Sequence, residues 1–217
     1  MPLVEDNQCD LVFYTNPWSR GQVVRWMLEE TGVAYRQVVL NYGEQMKTPA
    51  YLAINPMGKV PTLVHEGKVV TECPAICAYL ADAFPEAALA PPFYDRAAYY
   101  RWLFFAAGPL EAAIVNRLLK VEVNDEQQAM VGYGNYDKAV DVLAKVVSAS
   151  SYLAGNRFSA ADVYVGSHVI WGLQFNSLPK RPEFEDYAKR LMDRPAFIKA
   201  KAIDDALGDT LKAAAQD

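Results

Sequence analysis

With 217 residues, 52% of them hydrophobic and 22% charged, the chain can bury a sizeable core as one large domain or two smaller ones, which excludes a disordered protein. A formal net charge of −5 and a pI near 5.1 exclude nucleic acid as the main partner, because that binding rests on basic patches that neutralise phosphates. No run approaches the ~20 apolar residues that span a bilayer, and the opening MPLVEDNQCD has no basic or apolar leader region, so no membrane and a cytoplasmic location are expected.

Residues 11–14 read as a short apolar strand that Asn16-Pro17-Trp18 breaks before a helix beginning near Ser19. In that helix Val23, Trp26 and Met27 face inward, while Arg25, Glu29 and Glu30 can face water, and Thr31-Gly32 ends it. Residues 35–40, rich in β-branched side chains, form a second strand, and strand–helix–strand at this length favours a right-handed parallel unit. After a looser stretch at 41–47, Thr48-Pro49 supplies an N-cap and a first-turn proline for a short helix to about residue 54. Asn55-Pro56-Met57-Gly58 is a turn. Strands at 60–65 and 69–71 flank Glu66-Gly67-Lys68 as a hairpin. Glu72-Cys73-Pro74 then opens a helix with Ile76, Tyr79, Leu80 and Ala83 on one stripe.

Three prolines within residues 85–92 mark an exposed connection, and beyond it strand signals stop. Tyr99, Trp102, Leu103 and Ala106 start a long amphipathic helix, residues 125–150 give another, and residues 160–178 a strongly apolar third. Ser159-Ala160-Ala161-Asp162 is a capping-box pattern. Arg181-Pro182 and Arg194-Pro195 punctuate the last helices, and the Ala/Asp-rich end is expected to fray. Domains are expected at 1–84 and 93–217, joined by 85–92. Cys9, Cys73 and Cys77 make an odd, unpatterned set suited to a reducing compartment, with Cys73 and Cys77 read as two packed thiols one helical turn apart rather than a redox pair. His65 and His168 lack metal-ligand spacing, so no metal is expected.

This order of elements, with Asn55-Pro56-Met57-Gly58-Lys59-Val60-Pro61-Thr62-Leu63, Thr71-Glu72-Cys73-Pro74-Ala75-Ile76 and the segment from Tyr152-Leu153-Ala154-Gly155 to Asp162, resembles the cytosolic glutathione S-transferase family over nearly the whole chain, as a bacterial-type member of unassigned class. The resemblance implies an α/β thioredoxin-like first domain of order βαβ-α-ββα, an all-α helical bundle after it, and glutathione as co-substrate. It further implies a small hydrophobic electrophile as the second substrate, detoxifying conjugation as the activity, and a homodimer with the first domain of one subunit against the long helices of the other. In such proteins Pro61 follows a cis bond and Val60 hydrogen-bonds the cysteinyl backbone of glutathione. From the residues alone, a proline at a strand start removes one donor and leaves Val60 free to pair elsewhere, or merely opens a strand.

Glu72 and Cys73 stand where unpaired amides and the positive end of a helix attract a carboxylate. Glu72 suits the γ-glutamyl ammonium and the Cys73 amide its carboxylate; the plain alternative for Glu72 is a first-turn residue favouring the dipole. The family usually has serine where Cys73 stands, so a hydroxyl donor gives way to a weaker thiol. Lys47 and Lys59 are candidates for the glycyl carboxylate or are simply solvated.

Transfer requires a thiolate. A free thiol with a pKa of about 8.5 needs lowering by about two units, worth about 2.7 kcal/mol, and one hydrogen bond to the anion supplies roughly 1.5–3 kcal/mol of that. The donor is Ser19, Asn16 or Tyr14, preferred in that order, with Arg20 raising the local potential; Ser19 alternatively acts only as an N-cap. The electrophile is expected between the domains, against Tyr99, Trp102 and Phe105, with Trp171 or Phe175 as further candidates. The competing readings are a non-catalytic interaction module of the same fold and another glutathione-dependent activity: isomerase, peroxidase, dehalogenase or ether cleavage.

Overall fold

The computed structural model describes residues 10–215, so Cys9 and the opening segment lie outside the described residues. The chain divides into two compact units. One runs to Ala87 and takes in the chain from Pro195 onward, and the other is Ala88–Arg194.

The first unit is built on a four-stranded sheet of order β2-β1-β3-β4. Strand β1 (Leu11–Thr15) pairs in parallel with β2 (Arg36–Val39) and antiparallel with β3 (Thr62–His65), which forms a hairpin with β4 (Lys68–Val70). Strand β3 begins at Thr62 rather than at residue 60, so Val60 and Pro61 lie outside the ladder, joined by a cis peptide bond. Helices α1 (Gly21–Thr31), α2 (Pro49–Leu52) and α3 (Cys73–Ala83) complete the expected order. Thr48 caps α2 by accepting from the Tyr51 amide at 3.3 Å. The stretch at 41–47 contains a 3₁₀ turn, Glu44–Lys47.

Arg25 corrects the expected polar face of α1, for it is buried. Its Nε donates to Asp204 Oδ1 at 2.7 Å, Nη1 to Tyr35 Oη at 3.0 Å and Nη2 to Gln37 Oε1 at 2.9 Å, while the guanidinium lies over the Phe13 ring. Asp204 belongs to α9 (Pro195–Ala214), which returns to this unit. Lys199 pairs with Glu29 at 2.6 Å and Phe197 meets Trp26 edge to face, while Glu30 accepts from the Trp26 indole. All three residues expected to face water are therefore engaged.

In the second unit, α4 (Ala97–Phe105) runs through a π-helical turn (Ala106–Leu110) into α5 (Glu111–Leu118). Pro109 lies inside that turn: it has no N–H to donate and its ring crowds the preceding turn, and the wider spacing accommodates both. The helix expected over 125–150 is shorter, α6 (Tyr136–Ala149), because Gly134 adopts φ 67° and a single 3₁₀ turn (Gln127–Ala129) precedes it. The connection at 85–92 is not wholly exposed. Leu89 is buried and its carbonyl accepts from the Ala160 amide at 2.8 Å, at the first residue of α7 (Ala160–Gln174). Helix α8 (Pro182–Met192) closes this unit.

The capping box forms as expected. Asp162 Oδ2 accepts from the Ser159 amide and hydroxyl, each at 3.0 Å, and Oδ1 from the Leu153 amide at 2.9 Å and Tyr187 Oη at 2.8 Å. Burial pushes its carboxyl up to about 6, and the four donors offset this only in part.

Two measurements follow from these buried charges. Arg25→Ala leaves Asp204 buried without its partner and is expected to cost about 3–5 kcal/mol in urea unfolding, whereas Arg25→Met with Asp204→Leu costs less. For Asp162 the folded carboxyl holds its proton to higher pH than the unfolded one, so its stabilising contribution is complete below about pH 4 and declines as pH rises to about 6. Urea unfolding across that window should show the wild type losing up to about 3 kcal/mol relative to Asp162→Asn.

Candidate functional site

Extending the register of β1 against β3, in which Tyr14 faces Thr62, sets Thr15 opposite Pro61 and Asn16 opposite Val60. The start of α1 and the Val60-Pro61 segment are thus brought together. The start of α3 joins them through Cys73, whose Sγ lies 3.5 Å from the Arg20 carbonyl.

Asn16 is fully buried and holds this end of the sheet. Its Nδ2 donates to the Leu40 carbonyl at 2.9 Å and its Oδ1 accepts from the Trp18 amide at 3.0 Å. Tyr14 lies in a core cluster with Leu40, Met46 and Tyr51. Period-2 alternation puts it on the sheet face opposite Phe13, the residue that Arg25 of α1 covers. Asn16 is thus engaged at both polar ends, and Tyr14 packs into that cluster.

Ser19 is partly exposed at the helix start. Its Oγ accepts from the Gly21 amide at 2.9 Å and donates to the Asn16 carbonyl at 2.7 Å. That carbonyl also accepts from the Ser19 amide at 3.0 Å, so the hydroxyl can turn to another acceptor without leaving it unpaired. No acidic residue occupies the first turn of α1, and the positive end of its dipole is not neutralised there.

The segment before β3 is fixed by a hydrogen-bonded knot that sequence reading missed. The Lys59 carbonyl accepts from Tyr51 Oη at 2.6 Å and Asn55 Nδ2 at 2.9 Å, and both also reach Thr62 Oγ1 at 2.9 Å. The only signal for it was Asn55 in its turn motif. Among the described residues no hydrogen bond uses the Val60 amide or carbonyl, so the backbone next to this anchored carbonyl is left unpaired.

Glu72 has φ 64° and ψ 115°, a conformation that disfavours any residue with a Cβ. Its side chain is exposed and makes no hydrogen bond or ion pair among the described residues. The Cys73 amide at the start of α3 is likewise unused. Cys77 is buried, and its thiol is pushed well up by the hydrogen bond with Cys73 and by burial, which makes it a poor nucleophile. Lys47 Nζ donates to the Met57 and Gly58 carbonyls at 3.1 and 3.0 Å, bracing the turn; the Lys59 side chain is exposed.

In the helical unit Tyr99 is buried, and Trp102 and Phe105 are half-buried and meet edge to face with Arg101 over the indole. Trp171 is half-buried and Phe175 exposed. A cavity of about 460 Å³ within this unit is lined by Arg117, Tyr133, Tyr136 and neighbours, and none of those five aromatics lines it. No group of three or more His, Cys, Asp or Glu gathers as a metal site, and no helix is long and apolar enough to cross a membrane, among the described residues.

Residues 13–88 match the family described as Glutathione S-transferase, N-terminal domain, and residues 97–195 match Glutathione S-transferase, C-terminal domain. Maleylacetoacetate isomerase of Pseudomonas aeruginosa is 30% identical over 187 residues, 82% of this chain and 88% of that protein. Glutathione S-transferase 1 of Schizosaccharomyces pombe is 32% identical over 168 residues, 72% of this chain and 69% of that one. The solved structure of a sphingomonad glutathione S-transferase complexed with glutathione superposes with a TM-score of 0.71 at 28% identity, covering 89% of this chain and 98% of that one.

The helix start also explains one glycine. A Cβ at Gly21 would lie 2.1 Å from Thr15 Oγ1, a buried hydroxyl with no hydrogen-bond partner among the described residues, and 2.9 Å from Ser19 Oγ. Gly21→Ala is expected to lower stability by about 1–3 kcal/mol in chemical denaturation, and by less when Thr15→Ala removes the crowding oxygen.

Proposed function

The chain belongs to the glutathione S-transferase family, and from that premise we propose that it binds glutathione in the first unit and activates its thiol for attack on a small hydrophobic electrophile. The observation that carries this reading is the unpaired backbone of Val60, beside the start of α3 with its unused Cys73 amide and the start of α1 that carries Ser19. An extended peptide pairs there through its cysteinyl amide and carbonyl, as a strand adds to a sheet edge. Its γ-glutamyl carboxylate meets the Cys73 amide, and its ammonium meets the exposed Glu72 carboxylate. Backbone strain held at an exposed acidic residue supports a binding role for Glu72 over a purely structural one. Lys47 and Lys59 flank the other end, where the glycyl carboxylate falls; Lys47 keeps one N–H beyond the two that brace the turn.

Docked so, the cysteinyl sulfur comes to the start of α1, where the Ser19 hydroxyl turns from the Asn16 carbonyl to the sulfur. The thiol proton passes to solvent, and the thiolate is held by that hydroxyl and the helix dipole. The sulfur lone pair then forms a carbon–sulfur bond, and the displaced electron pair leaves with the leaving group or, in an addition, resides on the electrophile until it is protonated. A homodimer and a cytoplasmic location belong to the same reading, and the exposed Phe93, Tyr94 and Phe104 supply apolar area that a second copy would cover.

The relative named as an isomerase favours a second reading, in which the thiolate adds to a double bond and departs after rotation, leaving glutathione unconsumed. Counting glutathione lost per product formed separates the two: one for conjugation, none for isomerisation.

Two variants test the site. Glu72→Gly removes the strained Cβ and the carboxylate together, so stability is expected to stay within about 1 kcal/mol while calorimetric glutathione affinity falls about 10–100-fold. Loss of fold without loss of affinity in the folded fraction would contradict the assignment. Ser19→Ala is expected to leave glutathione bound and lower kcat/KM at pH 6.5 by about 10–100-fold, measured with a chromogenic aryl halide.

A further inference from the structure

Three buried side chains, Tyr51, Asn55 and Thr62, form a closed circuit with the Lys59 carbonyl, and their hydrogens can be placed. Asn55 Oδ1 accepts from the Met57 amide at 3.1 Å, so its Nδ2 faces the circuit and gives one hydrogen to the Lys59 carbonyl and one to Thr62 Oγ1, each at 2.9 Å. Tyr51 Oη lies 2.6 Å from the same carbonyl and can meet it only as a donor. The Thr62 hydroxyl therefore gives its hydrogen to Tyr51 Oη at 2.9 Å, the Lys59 carbonyl being a poorer acceptor for it at 3.4 Å.

The hydroxyl of Tyr51 is the part that packing does not explain. Its ring meets Tyr14 at a centroid distance of 5.5 Å within the core cluster, a place that phenylalanine would fill as well. Burying a hydroxyl there carries a desolvation cost, which the bonds to Lys59 and Thr62 offset. Burial raises the phenol above the ordinary tyrosine pKa, against the opposing contacts with Thr62 and Asn55, so it stays protonated and donates at neutral pH.

What the Lys59 carbonyl controls is the next amide. The Lys59-Val60 bond is trans, so the Lys59 C=O and the Val60 N–H lie in one plane and point in opposite directions. Two donors on the carbonyl oxygen thus set the direction of the Val60 N–H and, by polarising the shared peptide group, make it a stronger donor. The Val60 side chain packs against the cluster that contains Tyr51, while its amide has no partner among the described residues.

We infer that Tyr51 is a positioning residue for the cysteinyl carbonyl of glutathione: acting through the Lys59 carbonyl, its hydroxyl aims and polarises the Val60 amide that donates to the peptide. The inference rests on the pairing of Val60 with glutathione, and the test keeps the two apart. Tyr51→Phe keeps the ring and removes the donor, and the Thr62 hydrogen can then turn to the Lys59 carbonyl, so no buried group is stranded. It is compared with wild type, with Glu72→Gly, and with Val140→Ala, a buried position of α6 that touches none of these groups and serves as a destabilised control. Tyr51→Phe should weaken calorimetric glutathione binding and raise the glutathione KM about 3–10-fold. The kcat at saturating glutathione and the bound thiol pKa, read from thiolate ultraviolet absorbance, should stay as in wild type, because the lost interaction is one of binding. The Val60 amide nitrogen of the free variant should shift, since it shares a peptide group with the carbonyl that loses its donor. Val140→Ala should bind glutathione as wild type does. An equal loss of affinity in Val140→Ala, a moved thiol pKa or an unmoved Val60 nitrogen in Tyr51→Phe overturns the inference. Unchanged affinity in Tyr51→Phe, with affinity lost in Glu72→Gly, overturns it alone, whereas absence of glutathione binding by the wild type overturns the reading of Val60 itself.

Discussion

Backbone hydrogen bonding at the end of β1 is the constraint on which the site depends. A strand that stops in the interior leaves amides and carbonyls that must find partners, and here side chains provide them. Asn16 bridges the Leu40 carbonyl and the Trp18 amide, Ser19 covers the Gly21 amide, and Tyr51 with Asn55 anchors the Lys59 carbonyl. With these groups paired, the ones left unpaired among the described residues stand out: the Val60 amide and carbonyl, and the amide of Cys73. They are the groups to which the proposed glutathione site assigns the peptide.

The same economy governs how α1 is held. Its inner face carries Arg25, a charge that burial would make prohibitive without compensation. Asp204, Tyr35 and Gln37 take three of its donors and Phe13 takes its face. Because Asp204 sits on α9, the last helix of the chain is bound to the helix whose start carries Ser19. Trp18 reinforces this link, for its indole lies where a Cβ on Gly208 of α9 would come within 3.3 Å. The position of the helix start is therefore set by a residue nearly two hundred positions away.

Much of this was legible in the sequence, and the failures have physical causes. Short-range grammar worked: Thr48-Pro49 starts α2, Ser159 to Asp162 forms the capping box, and Pro182 and Pro195 open α8 and α9. The order of elements and the start of α3 could be read because each rests on a local pattern, whereas the cis bond before Pro61 came only from the family resemblance. Arg25 could not, since periodicity assigns a lone charge to water and the buried partner lies in a distant helix. Asn16 was weighed for chemistry because its residue type fits, but only tertiary pairing shows that both its polar ends are engaged. The helix expected from residue 125 fails at Gly134, a break that hydrophobic periodicity averaged over.

The central claim is that the first unit presents unpaired backbone at Val60 and Cys73 to glutathione. Titrating ¹⁵N-labelled protein with glutathione and following backbone amide resonances tests it most directly. The account predicts large, saturable shifts at Val60 and Cys73, with the amides of β2 at the far edge of the sheet nearly unmoved. Saturation with Val60 and Cys73 unchanged, or with the main shifts at β2, would contradict it.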